Sequence, residues 1–244
     1  MAAREAYLLA GATASGKSAA AALLAREMGA AILSADSMLV YRGMDVGTAK
    51  PTPEERTEFS MGGVDVVTPA DHFSSGAWLR AAADWLDEIP ASRPIVIVGG
   101  TGLYFSALLR GLDREWTNPP PEYPVLQVER AILHDRIARR LDAMFMDGLA
   151  AEVEGLRKEY PVWSDTASAA IGYKEFIDGL APDAVREKIL VRTRQLAKRQ
   201  DTWFRHQATP LYVQIGETAE ETAANVKRIW SEHGPWTVCL EKGA

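Results

Sequence analysis

Residues 11–18 read GATASGKS, directly after the short apolar run AYLLA at 6–10. Glycine, four residues, glycine, lysine, serine is the spacing of a phosphate-binding loop. Gly11 and Gly16 permit the dihedrals that turn the amides of Ala12, Thr13, Ala14, Ser15, Lys17 and Ser18 inward onto a diphosphate. Lys17 supplies a point charge, and the Ser18 hydroxyl is placed to hold Mg²⁺. A helix beginning at this loop adds its positive dipole end. Such a loop fits ATP, another nucleotide or a bare diphosphate ester, and the rest of the chain must decide between them.

On either side the pattern is α/β. The run at 6–10 predicts a buried strand, and 17–28, rich in alanine and leucine and closed by Gly29, predicts a helix. AAILSAD (30–36) reads as a second strand ending at Asp36, followed by a loop with Pro51 and Pro53 and a weak strand, VDVV, at 64–67. Residues 76–89 have helical apolar spacing, and RPIVIVGG (93–100) is the continuous β-branched run of a central parallel strand. A helix over 103–109 follows. Alternating strands and helices predict a P-loop NTPase-like parallel sheet flanked by helices, with right-handed crossovers. Ligands of such sheets bind at the carboxyl ends of the strands. The loop at 11–18, Asp36 and GGTG at 99–102 all fall there.

The texture then changes. LDREWTNPPPEYP (112–124) is a proline-rich connection, and helices are predicted over 125–145, 147–160, 183–205 and 219–232, with a strand at LYVQI. WTVCL is a short apolar run near the end, and no internal repeat is visible. The expectation is one domain over 1–244.

Net charge is −6, which argues against indiscriminate coating of nucleic acid. The charge is uneven, however: residues 186–205 carry seven basic and two acidic side chains, a local +5 against −11 elsewhere. No apolar stretch approaches the roughly 20 residues needed to span a bilayer, and the N-terminus lacks a signal-peptide pattern, so no membrane partner is expected. A single cysteine, Cys239, suits a reducing cytoplasm, and four scattered histidines predict no zinc site.

Asp36, at a strand end beside the loop, could hold a metal, accept a proton from an attacking group, or simply turn the chain with Ser37. Thr101 in GGTG offers a hydroxyl beside a backbone free to approach a ligand. The strand before it ends in glycine, where a motor-type ATPase would carry an acid. Arg136 and Arg140 lie one helical turn apart, and Arg192, Arg194, Lys198 and Arg199 stud the later basic helix. Guanidinium groups of this kind suit a diphosphate or an RNA backbone.

Taken in order, GATASGKS, DSMLVYRGMDVGTAKP, GGTGLYFSALLRGL, RIARRLDAMFMDGLAAEV, IGYKEF and TRQLAKRQDTWFR resemble the landmarks of tRNA dimethylallyltransferases from about Tyr7 to His206. The resemblance implies transfer of a dimethylallyl group from dimethylallyl diphosphate to the exocyclic amine of the adenosine 3′ of the anticodon. It implies Asp36 as the base, Thr13 and Thr101 as contacts to the reacting groups, Arg140 and Arg136 on the diphosphate, and Mg²⁺ at Ser18. For tRNA it implies Asp36, Ser37, Met38, Leu39, Thr101 and the cations Arg192, Arg194, Lys198 and Arg199, in a cytoplasmic monomer.

Three departures stand out. The stretch 112–130 occupies the place of the family's long helical insertion, and Leu39 replaces a glutamine that helps to read RNA. Ala12 stands where family loops carry proline. Competing readings are an adenine-nucleotide (AMP, ADP or ATP) isopentenyltransferase, an ATP-dependent small-molecule kinase, and a non-catalytic RNA-binding relic.

Overall fold

The computed structural model describes residues 4–110 and 122–238. Its sheet has the order β2-β3-β1-β4-β5, from Ala31–Ser34 (β2), Ile95–Gly99 (β3), Arg4–Gly11 (β1), Glu122–Gln127 (β4) and Thr209–Gln214 (β5). These strands are parallel, while Trp236–Val238 (β6) lies antiparallel against the first half of β1. The parallel α/β sheet expected from the sequence is therefore present.

Both faces are covered, which is why β2 and β3 are buried throughout. On one face Leu9, Ile32, Val96 and Val98 pack with Lys17–Met28 (α1) and Ala219–His233 (α10). On the other, Leu8, Leu33 and Ile97 pack with Ser75–Glu88 (α3), Gly102–Arg110 (α4) and Pro182–Gln207 (α9). Single-residue alternation along a strand sends neighbours to opposite cores. Arg130–Met146 (α5) packs along α9, and Leu149–Glu159 (α6), Asp165–Ser168 (α7) and Lys174–Ile177 (α8) extend that side.

Three expectations need correction. The helix read from 125 begins at Arg130, because 122–127 forms β4 between β1 and β5. Its four buried residues, Tyr123 to Leu126, sit beside prolines and run into a helical apolar pattern, so periodicity alone misassigned them. Residues 112–121 of the expected connection lie outside the described residues, as does Cys239. VDVV makes no ladder strand: Val67 forms one isolated bridge with Tyr41. The loop read around Pro53 contains a short helix, Pro53–Glu58 (α2), started by a capping box between Thr52 and Glu55.

The strand ends meet closely. Ala35 N donates to Val98 O (2.8 Å) and Thr101 N donates to Ala35 O (3.1 Å). A β-carbon at Gly99 would lie 2.0 Å from the Ala35 carbonyl oxygen. Gly99→Ala is therefore expected to destabilise the protein by about 1–3 kcal/mol, seen as a lower urea midpoint at unchanged slope. Gly155→Ala, in α6 with nothing within 4 Å of the added carbon, should instead raise the midpoint.

Candidate active site

The loop between β1 and α1 holds two residues in the left-handed region, Ala14 (φ 61°) and Gly16 (φ 92°). Lys17 is buried behind it and its Nζ donates to Ala12 O at 3.2 Å. Burial pushes the Lys17 ammonium down to about 8; Asp36 opposes the fall and Arg140 adds to it. Burial likewise lowers Arg140, again opposed by Asp36.

Side chains from α5 reach back to this loop. Arg136 Nη1 donates to Ser15 O (3.2 Å) and Arg140 Nη2 donates to Thr13 Oγ1 (2.7 Å), so the one-turn spacing does place both on one face. From α9, Gln200 Oε1 accepts from Thr13 N (2.8 Å) while its Nε2 donates to Gly100 O (3.0 Å). The Thr13 amide expected to face a diphosphate is thus engaged by α9 instead, and Ser15 N likewise donates to Ala12 O (3.2 Å).

At the neighbouring strand end Asp36 Oδ1 accepts from Met38 N (2.9 Å), the local turn that an aspartate commonly makes. Thr101 Oγ1 accepts from Ser37 N (2.9 Å) and donates to Ser37 Oγ (3.2 Å), joining the two loops. Asp36 thus has one oxygen in the turn and still borders open space.

That space is two adjoining cavities. The first, about 430 Å³, is a groove lined by Ser37, Met38, Gly100 and Thr101 with Ile137, Leu141, Met144 and Arg199 from α5 and α9. The second, about 630 Å³, is lined by Lys17, Ser18 and Arg136, and by Leu39 and Lys50. Thr13, Asp36, Thr48 and Arg140 line both. Leu39 faces the phosphate-loop cavity while Met38 faces the groove, a division between adjacent residues that the motif DSML did not show.

The Thr48 hydroxyl donates to Met44 O (2.6 Å), and the strap leading to it is held by Glu152 on α6. The Glu152 carboxylate accepts from the backbone N of Asp45 (2.9 Å), Val46 (2.6 Å) and Gly47 (3.1 Å) and from Tyr173 Oη (2.6 Å). A β-carbon at Gly47 would meet the Tyr173 ring at 2.5 Å, so glycine is required for the strap to lie there. Sequence reasoning missed Glu152 and Gln200. Glu152 lies inside RIARRLDAMFMDGLAAEV and Gln200 inside TRQLAKRQDTWFR, but neither sits in a chemically recognisable spacing, because each acts through backbone groups distant in sequence.

The cations expected to meet RNA separate into different environments. Arg192 pairs with the buried Glu175 and donates to Ala169 O (3.1 Å), so it braces the groove's rim. Arg199 is exposed at the groove, and Lys198 is exposed outside both cavities. Arg194 is half-buried, with Nε enclosed and unpaired.

For magnesium the residues fit. Ser18 is exposed on the first turn of α1 and shares its cavity with Asp36. Among the described residues no cluster of three or more His, Cys, Asp or Glu could hold a metal alone. Magnesium typically takes one or two protein oxygens and completes its shell with phosphate and water.

Residues 39–124 and 114–207 match the IPP transferase family, and residues 4–60 match the isopentenyl transferase family. A tRNA dimethylallyltransferase of Trichormus variabilis is 31% identical over 81% of this chain and 90% of its own. The chain belongs to the tRNA dimethylallyltransferase family. It is a prenyltransferase. Another member, from Burkholderia ambifaria, is 31% identical over 93% of this chain and 95% of its own. The full-length tRNA isopentenylpyrophosphate transferase of Bacillus halodurans has the same fold, with TM-score 0.80 and 26% identity over 94% of this chain and 96% of that one. Among the described residues no helix is long and apolar enough to cross a membrane.

Lys17 predicts a pH dependence. Its ammonium is charged below about 8 and neutral above, so anion affinity is full below that pH and declines above it. The dissociation constant of dimethylallyl diphosphate, measured calorimetrically, should rise by up to about tenfold per pH unit above that point. Lys17→Met should bind weakly and lose this dependence.

Proposed function

We propose that the protein transfers the dimethylallyl group of dimethylallyl diphosphate to the exocyclic amine of the adenosine 3′ of the anticodon in tRNA. One observation carries the reading: Thr13, Asp36, Thr48 and Arg140 line both cavities, so a carboxylate stands where a phosphate site opens into a groove. The groove has apolar walls from Ile137, Leu141 and Met144, suited to a flat base, and the exposed Arg199 at its side.

In this reading the diphosphate lies on the loop and the adenine enters from the groove. The amine nitrogen attacks the allylic C1 while the C1–O bond breaks, and the bonding electron pair leaves with the diphosphate. Asp36 accepts the amine proton. Lys17, Arg136 and Arg140 meet the growing negative charge in a partly dry site, where such interactions are strengthened. Thr13 Oγ1 accepts from Arg140, which leaves its own proton for the departing oxygen. Ser18 would hold magnesium, which would supply neutralisation of the phosphate charge.

The alignment with the Trichormus variabilis relative spans 266 positions, more than the 244 residues of this chain, so that relative has internal residues without a counterpart here. This supports a compact enzyme that grips tRNA through the groove and the exposed cations of α9. In this reading the enzyme is a monomer working in the cytoplasm.

Labelled dimethylallyl diphosphate with Mg²⁺ should enter unmodified tRNA, and not AMP, ADP or ATP. Label in a nucleotide would move the acceptor to a free adenine compound. Asp36→Asn should lower turnover by about 10²–10⁴-fold with nearly unchanged diphosphate binding. Equal losses in both would make Asp36 a metal or structural group.

A further inference from the structure

We propose that Gln200 is a positioning residue whose carboxamide sets the separation between the leaving-group loop and the acceptor side of the site. The inference rests on the transfer reaction proposed above and gives a role to Gln200, which lies within the landmark TRQLAKRQDTWFR but was assigned none.

The two partners of Gln200 come from the two halves of the site. Thr13 belongs to the phosphate loop after β1, and Gly100 immediately precedes Thr101 after β3. The orientation of the amide is forced by chemistry. The Thr13 N–H needs an acceptor and the Gly100 carbonyl needs a donor, so Oε1 faces the first and Nε2 the second. A rotated amide would set donor against donor and acceptor against acceptor. Both hydrogen bonds are of ordinary length, 2.8 and 3.0 Å.

The base of the side chain is held as firmly as its tip. Ala197 and Phe204 bury the helix on either side of Gln200. A β-carbon at Gly102 would fall 2.1 Å from the Trp203 ring, so α9 sits hard against the start of α4. A β-carbon at Gly100 would lie 2.5 Å from Gln200 Nε2, so glycine leaves the room that the amide fills. Thr13 is consequently fixed twice, at its N–H by Gln200 and at its hydroxyl by Arg140.

Gln200 supplies no charge and takes no proton. Its loss should therefore misplace Thr13 relative to Thr101 while leaving Lys17, Ser18 and Arg136 to bind diphosphate. Misplacement of reacting groups affects the transition state more than ground-state binding.

The test compares wild type, Gln200→Leu and Gln200→Glu. Gln200→Leu removes both hydrogen bonds, whereas Gln200→Glu keeps an acceptor for Thr13 N–H but sets a carboxylate oxygen against the Gly100 carbonyl. For Gln200→Leu, kcat for tRNA prenylation should fall about 10–100-fold, with the dissociation constant of dimethylallyl diphosphate within about threefold of wild type. Gln200→Glu should also lower kcat, because it loses the donor to Gly100 O, and if the leucine variant does not fold, a wild-type kcat in Gln200→Glu overturns the inference. Amide hydrogen exchange at Thr13 should quicken in Gln200→Leu and stay near wild type in Gln200→Glu. Unchanged kcat and exchange in Gln200→Leu would overturn the inference. So would parallel loss of turnover, diphosphate binding and cooperative melting, the signature of a merely structural residue. Wild-type protein that prenylates no acceptor would instead remove the transfer reading, a failure that the Thr13 exchange measurement distinguishes from loss of the clamp.

Discussion

Parallel pairing of β1 with β3 sets Ala10 opposite Gly99, and the site depends on that register. It brings the start of the phosphate loop beside the GGTG turn, and pairing of β3 with β2 adds Asp36 on the far side. Three segments separated by dozens of residues thereby share one sheet edge. Their closeness requires a strand end without a side chain, since the Ala35 carbonyl occupies the place a β-carbon on Gly99 would take. Slippage by one residue would invert which side chains enter each core, so burial on both faces holds the register.

The second constraint is electrostatic. Lys17 and Arg140 are cations withdrawn from water beside one carboxylate, Asp36, and burial weakens the charged form of both. Withdrawn cations of this kind are costly until an anion joins them, and the same withdrawal strengthens their hold on that anion. The loop is accordingly tuned to a multiply charged ligand. Neutral parts of the site, the Thr13 and Thr101 hydroxyls and the Gln200 amide, contribute direction instead of charge. Glu152 shows the same economy on the opposite rim, where one carboxylate gathers three backbone amides and a phenol to hold the strap leading to Thr48.

Much of this was legible beforehand, for identifiable reasons. GATASGKS has a spacing that only one local geometry serves, and IVIV is long and branched enough to announce a central strand. Arg136 and Arg140 follow from helical periodicity once the helix is granted. β4 escaped notice because a four-residue buried run beside prolines carries no period of its own. α2 did carry a signal, Thr52 followed by Glu55, obscured by the prolines around it. Arg192 could not be told from Arg199 on a basic helix, because only packing against Glu175 distinguishes them.

The sequence by itself determined the parallel α/β class, the phosphate loop and the chemical identity of Asp36, Thr101 and the two α5 arginines. These rest on local spacing, which short-range sterics and periodicity convert directly into structure. Tertiary structure alone decided that two cavities meet at Asp36, that Leu39 and Met38 face different ones, and that Gln200 and Glu152 hold the loops in place. Such facts depend on contacts between residues far apart in the chain, where hydrogen-bond partners are chosen by the packing of whole elements and leave no trace in spacing.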